Sequence, residues 1–263
     1  MLLSVSIITL NEEANIARTL DSVKEIADEI IVVDSGSTDR TVSLAQSRGA
    51  KVSTEEWKGF ARQKNSALAK ATGDWILYLD ADEEVSRELA ASIRALVKSG
   101  GSAPPFQGYR IARRNIYLHR WLKHSGYYPD RSLRLVKRGT AEFELALFHE
   151  EMKSSRETGV LAGDLIHHAY PTLESFIEGA NRYSSLGARM VVEKRPAGFS
   201  ISDIVLRPLW AFISRYFFRL GVLDGREGLI VQMQYAAYVS WKYAKAWEIS
   251  KNAREAERAR PPG

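Results

Sequence analysis

No cysteine occurs in the 263 residues, which excludes disulfides and thiolate metal sites and suits a reducing compartment. Long apolar runs are missing as well. The longest uncharged stretch, Gly228 to Trp241, has 14 residues, fewer than the ~20 a membrane-spanning helix needs. The uncharged start, Met1 to Asn11, has neither the basic region nor the cleavage site of a signal peptide and reads as a first strand. The glycine patterns of common phosphate-binding loops are also absent. There is no G-x-x-x-x-G-K-S/T, and no G-x-G-x-x-G follows the first strand, so neither an ATPase nor a dinucleotide oxidoreductase is expected. No internal repeat is visible.

Charge is plentiful but uneven. Residues 207–260 hold ten Lys/Arg against five Asp/Glu, a balance of +5 that equals the net charge of the whole chain, so residues 1–206 balance to zero. Within that neutral part, residues 107–138 carry nine Lys/Arg against Asp130 alone. Such patches favour anionic partners: nucleotide phosphates, phosphorylated glycans or anionic lipid. No nucleic-acid-binding motif accompanies them, and nucleic acid is not an expected partner.

What is present is an alternation of strands and helices. Ser4 to Leu10 reads as a strand, followed by a helix from an Asn11 cap to about Glu25. Glu29 to Asp34 is a second strand, and the turn Ser35 to Asp39 leads into a helix that Gly49 ends. Lys51 to Thr54 is a third strand, and a helix runs from about Gly59 to Ala71. This order predicts an α/β fold with a mostly parallel sheet. After a helix from Ser86 to Lys98, strands at Gly108 to Arg113 and Ser132 to Val136 flank an aromatic, basic segment. Two helical segments follow, Leu173 to Glu193 and Ile201 to Trp247, then a frayed polar tail.

The chain is organised around Trp75-Ile-Leu-Tyr-Leu-Asp80-Ala-Asp82-Glu-Glu84. The apolar run suits a buried strand of a parallel sheet, and its carboxyl end is where open α/β sheets place ligands. Residues two apart in an extended chain face the same side, so Asp80 and Asp82 are expected to reach one hard divalent cation bridging to phosphate. The plainer alternative is a solvated strand end, with Glu83, Glu84 and Glu88 as helix-start acids.

Three ordered segments carry a resemblance: Ser6 to Glu12, Val32 to Asp39, and Leu79 to Glu83. Together they resemble the family 2 glycosyltransferases, whose GT-A fold is an α/β fold. Tyr128-Pro-Asp130, Arg134-Leu135, His149-Glu150 and Ile166 to Tyr170 resemble a narrower group, the bacterial lipopolysaccharide-core β-glucosyltransferases. The resemblance implies an inverting, metal-dependent transferase moving a hexose, glucose in that group, from a UDP-sugar to a saccharide or lipid-linked saccharide, with inner-core heptose as the acceptor. Residues 1–170 are expected as the transferase domain, with the nucleotide half to about 100 and the acceptor half at about 101–170, 171–250 as a helical extension whose aromatic density and basic charge fit association with membrane, and 251–263 as a tail. A cytoplasmic location is expected, peripheral on the inner membrane.

The site residues follow from the same resemblance. Thr9, Asn11, Glu12 and Asp34 match the nucleotide loops, although Asn11 also reads as a helix cap and Asp34 as a turn residue before Gly36. Arg62 and Lys64 match the diphosphate segment, or else form an ordinary basic helix face. Asp82 is the expected ligand of Mn2+ or Mg2+, Asp80 contacts ribose or metal, and His167 is a candidate third ligand. The base expected to deprotonate the acceptor is Glu150, with its neighbour Glu151 and then Asp130 as competitors. Tyr128, Asp130, Arg134 and His149 are expected on the acceptor side, where aromatic faces stack on sugars and arginines grip phosphates. Two other classes stay open: a phosphohydrolase using Asp80 as nucleophile, and a non-catalytic glycan- or membrane-binding module.

Overall fold

The computed structural model describes residues 1–98, 104–145, 151–194 and 199–258. They divide into two compact units, one of residues 1–114 and 129–168, the other of residues 115–128 and 169–263. The segment 115–128, expected within the transferase domain, thus groups with the C-terminal helices.

The first unit is a sheet flanked by helices. Strands β1 (Leu3–Thr9), β2 (Glu29–Asp34), β3 (Lys51–Thr54) and β4 (Trp75–Asp80) pair in parallel in the order β3-β2-β1-β4. Helices α1 (Ile16–Val23), α2 (Thr41–Ser47) and α3 (Phe60–Ala69) make the crossovers. The parallel part ends at β4. Strand β8 (Asp130–Lys137) lies antiparallel to it, and β6 (Gly108–Tyr117) antiparallel to β8. The edge is completed by β11 (Thr158–Tyr170) and the three-residue β5 (Glu83–Val85), again antiparallel. Helix α4 (Arg87–Lys98) follows β5, and β9 (Ala141–Phe143) pairs with β10 (Met152–Ser154) as a separate small sheet.

Alternation along the strands sorts the core into two layers. Val5, Ile7, Leu77 and Leu79 pack on one side with Ile16 and Leu20 of α1 and Leu89 and Ile93 of α4. Ile8, Val33, Ile76 and Tyr78 pack on the other with Ala67 and Leu68 of α3 and with Leu133, Phe143 and Met152. Asp80 falls on the α3 side by the same count. Gly163 of β11, at φ +92, lets that strand pass so close to α4 that a Cβ would stand 2.3 Å from the Leu89 nitrogen.

Several expectations shift. Asn11 does not cap a helix: it sits at φ 54, and α1 begins only at Ile16, because the Asn11 side chain is engaged by the next loop. Glu83 and Glu84 are not helix-start acids, since they form β5. The long segment from Ile201 is not one helix. It comprises α6 (Ile201–Ile213), a π turn (Ser214–Phe218), left-handed Leu220 at φ 58, a 3-10 turn (Gly221–Asp224) and α7 (Gly225–Arg258). The tail is helical through Arg258.

In the second unit, α5 (Leu173–Lys194) and α6 pack on α7. The turn at β7 (Arg120–Trp121) joins them through a small apolar cluster of Leu122, Phe176 and Val231 with Tyr117, Tyr127 and Tyr170. Asp224, buried, accepts from the backbone nitrogens of Lys123 and His124 at 3.1 and 3.0 Å. Among the described residues, no helix is long and apolar enough to cross a membrane.

Candidate active site

The site begins where β4 ends. The chain turns at Ala81-Asp82, so the two aspartates do not share one side as an extended strand would require. Three hydrogen bonds hold this turn. Thr19 Oγ1 of α1 donates to the Ala81 carbonyl at 2.7 Å, the His168 nitrogen of β11 donates to the Asp82 carbonyl at 3.1 Å, and the Asp80 nitrogen donates to Glu83 Oε2 at 3.0 Å.

Asp80 points into a buried ionic cluster. Its carboxylate accepts from the Tyr78 hydroxyl and from Arg134 Nη2 at 3.0 Å, and Lys64 Nζ lies 3.7 Å away. Arg134 Nη2 also reaches Glu83 Oε1 at 2.7 Å, while Arg113 Nη1 lies 3.7 Å from the same oxygen. Burial alone would raise the pKa of Asp80, but Arg134 and Lys64 beside it hold its carboxyl well below the usual range. Glu83, fully enclosed, is shifted up by burial despite Arg134.

Asp82 faces the other way. Its Oδ2 lies 3.3 Å from His167 Nε2, both side chains partly open to solvent at 26% and 19%. Burial opposes protonation of His167, but the hydrogen bond to Asp82 and the charges of Asp82 and Glu83 outweigh it and raise the pKa. His168 pairs with Glu84 at 3.4 Å instead. Among the described residues no ready-made group of three acidic or histidine ligands exists. Asp82 and His167 nevertheless supply one oxygen and one nitrogen donor, which fits a cation that takes its remaining ligands from water and substrate phosphate.

The loops after β1 and β2 interlock. Asp34, 1% exposed, accepts from the Gly36 and Ser37 nitrogens, both at 2.9 Å, so its carboxylate serves the turn. Asn11 Oδ1 accepts from the Thr38 nitrogen at 2.9 Å, and the Asn11 nitrogen donates to Ser37 Oγ at 2.8 Å. Thr9 is buried, and its hydroxyl has no hydrogen-bond partner among the described residues. Glu12 lies near enough to the cluster that burial first, and then Asp82, Asp39 and Asp80, raise its pKa.

Lys64 and Arg62, neighbours on α3, part ways. Lys64 is 9% exposed, with Nζ 5.2 Å from the Tyr78 ring centre and 5.1 Å from that of Phe143, whereas Arg62 is exposed. The residues expected on the acceptor side are also dispersed. Arg134 is buried in the Asp80–Glu83 cluster, and Asp130 is gripped by Arg113, its Nε at 2.9 Å. Tyr128, in the second unit, packs edge-on against Trp121 at 5.2 Å. Glu151 is exposed just before β10, while Glu150 and His149 lie outside the described residues. Tyr78 and Arg113 are not marked as site residues by the sequence, and Glu83 reads there only as a helix-start acid or the end of the Leu79 to Glu83 segment. The signal for Arg113 is its cross-strand pairing with Asp130, which needs the β6–β8 register to be known.

Comparison with known proteins now bears on this geometry. The family described as Glycosyl transferase family 2 matches residues 4–151, over half the chain. The chain belongs to this family. A glycosyltransferase of Rickettsia typhi is 32% identical over 96% of this chain and 89% of its own length. The lipopolysaccharide core biosynthesis glycosyltransferase LpsC of Rhizobium meliloti is 33% identical over 98% of this chain and 95% of its own. Among solved structures, S. aureus TarS in complex with UDP aligns with 99% of this chain and 93% of that one, at 17% identity and a TM-score of 0.46. Glucosyl-3-phosphoglycerate synthase from Mycobacterium tuberculosis, solved with Mn2+ and UDP, aligns over 44% of each chain at 28% identity and a TM-score of 0.34. Family membership makes the protein a glycosyltransferase, with the α/β fold that the sequence resemblance implied. It leaves the phosphohydrolase reading without support.

Proposed function

We propose that this glycosyltransferase is metal-dependent and inverting, and moves glucose from UDP-glucose to a heptose of a lipopolysaccharide inner core. The observation that carries the donor half is the Asp82–His167 pair, on a fixed turn at the carboxyl end of β4. Asp82 and His167 would hold Mn2+ or Mg2+, which supplies neutralisation of the charge growing on the departing diphosphate. This reading assigns Lys64 to a phosphate oxygen and Asp80 to ribose, although both are held in the Arg134–Glu83 cluster. Thr9, Asn11, Glu12 and Asp34 shape the loops that would enclose the nucleoside, and exposed Arg62 is the further cation for the diphosphate.

Inversion requires a carboxylate that takes the proton from the acceptor hydroxyl as that oxygen attacks the anomeric carbon and the bond to UDP breaks. This reading assigns that role to Glu150, with Glu151 as the competing carboxylate, His149 orienting the base or the acceptor, and Asp130 on the acceptor side; the burial of Arg134 speaks against its touching the acceptor. The acceptor comes from the likeness to a lipopolysaccharide core glycosyltransferase. A lipid-borne acceptor places the protein at the cytoplasmic face of the inner membrane, attached peripherally.

Titration calorimetry with UDP, with and without Mn2+, on wild type and Asp82→Ala tests the donor site. UDP binding is expected to need Mn2+ and to weaken about 100-fold in Asp82→Ala. Equal UDP affinity in all four conditions would remove Asp82 from the donor site, and no UDP binding at all would remove the UDP-sugar reading.

A further inference from the structure

Helix α6 is built inside out. It buries Asp203 and Pro208, while Ile201, Val205, Leu209 and Trp210 stand in solvent, Ile201 at 80% and Trp210 at 62% exposure. The apolar surface continues beyond the helix with exposed Phe218, whose ring lies 5.9 Å from that of Trp210. A contiguous exposed patch of large apolar side chains marks a surface with a partner.

Alongside this face, α6 and α7 enclose a shallow groove of about 310 Å³ lined by Leu206, Arg207, Trp210, Val239, Lys242 and Tyr243. It holds two cations. Arg207 gives its Nε to Asp203 at 2.6 Å and keeps half of its side chain exposed. Lys242 Nζ sits 5.0 Å from the Tyr243 ring centre and 5.7 Å from that of Tyr238, and among the described residues no carboxylate pairs with it. Burial, and then the Arg207 charge, lower the Lys242 pKa, so the ammonium lacks a counter-charge that a bound anion would provide.

We propose that the exposed face of α6 inserts into an anionic phospholipid bilayer, with a lipid phosphate held between Arg207 and Lys242 in the α6–α7 groove. Charge complementarity selects this occupant: residues 207–260 carry ten Lys/Arg against five Asp/Glu, and polybasic surfaces are drawn to anionic leaflets. The aromatics fit the same place, because Trp and Tyr favour the headgroup level. The site rests on the membrane-attached reading above for its purpose, but its binding does not depend on sugar transfer.

The test is co-sedimentation of the full chain with vesicles of phosphatidylcholine alone or mixed with phosphatidylglycerol. Wild type is expected on the phosphatidylglycerol vesicles and to leave them at high salt. Lys242→Glu should bind about tenfold more weakly, Lys242→Arg should retain binding, and Trp210→Ser should lose it, all with unchanged thermal melting. Three outcomes overturn the proposal: equal binding to both vesicle types, no effect of Lys242→Glu, or full competition by inorganic phosphate, which would make the groove a free-anion site. A lipid-free dimer that Trp210→Ser abolishes would also overturn it, by giving the face to a second copy. UDP calorimetry on the same samples separates this failure from failure of the donor site.

Discussion

In the first unit charges go inside and find partners, whereas along α6 in the second unit large apolar side chains stand exposed among the described residues. Around β4, Glu83 and Arg134 are almost wholly enclosed, and each has a counter-charge within 3 Å. Along α6, the enclosed residues are an aspartate and a proline, and the exposed ones include Ile201, Val205, Leu206, Leu209 and Trp210. Helix α1 makes the contrast sharper, since its Ile16, Leu20 and Val23 all face the core. Buried ion pairs rarely stabilise a fold over an apolar alternative, and an apolar face in water gains nothing from folding. The first arrangement holds carboxylates in place, and the second leaves an apolar face exposed among the described residues.

The comparison can be broken most forcefully at Glu83. Glu83→Ala leaves Arg134 enclosed with one of its two carboxylate partners and strips the acceptor from the Asp80 nitrogen, so about 3–5 kcal/mol of stability should be lost in urea unfolding. A near-neutral result would mean that water replaces the carboxylate and that the cluster is not closed. A matched pair of truncations tests the helices. Leu20→Ala in α1 should cost about 2–5 kcal/mol, while Leu209→Ala in α6 should change stability by under about 0.5 kcal/mol. Comparable losses would show that α6 is packed in solution.

A smaller effect separates a peripheral charge from the enclosed ones. Glu29 accepts from Lys51, Ser4 and Thr72; burial works against ionisation, but these bonds bring its pKa down to about 2 from an ordinary 4.5. A carboxyl depressed in the folded state stabilises the fold above its unfolded pKa, and that contribution fades as pH falls from about 4.5 towards about 2. Glu29→Gln should remove roughly 1 kcal/mol of this acid-side dependence, read as a flatter plot of unfolding free energy against pH.

The α/β framework was legible because its strands are short apolar runs ended by Asp, Asn or Gly, and because the helices between them carry one apolar face. The position of the acidic turn was legible for the same reason, as the end of such a run. Its orientation was not. Asp80 turns toward Arg134, 54 residues away in sequence, and no local pattern announces that partner. Strand β11 escaped notice because Gly159, Gly163, Asp164 and two histidines interrupt its alternation. The break after α6 rests on left-handed Leu220, a conformation that a leucine does not advertise. Lys64 and Arg62 are equivalent on paper, and only the packing of α3 against Tyr78 and Phe143 tells them apart.

The hydrogen bonds from Thr19, His168 and the Asp80 nitrogen have a consequence for recognition. A loop that must become ordered around its ligand loses roughly 1–2 kcal/mol of free energy per residue in doing so. Residues 80 to 83 are already confined by a helix, a strand and their own side chain before any ligand arrives. The entropy of arranging that corner is thus lost during folding, and the affinity of the site can be spent on discriminating between ligands rather than on assembling their seat.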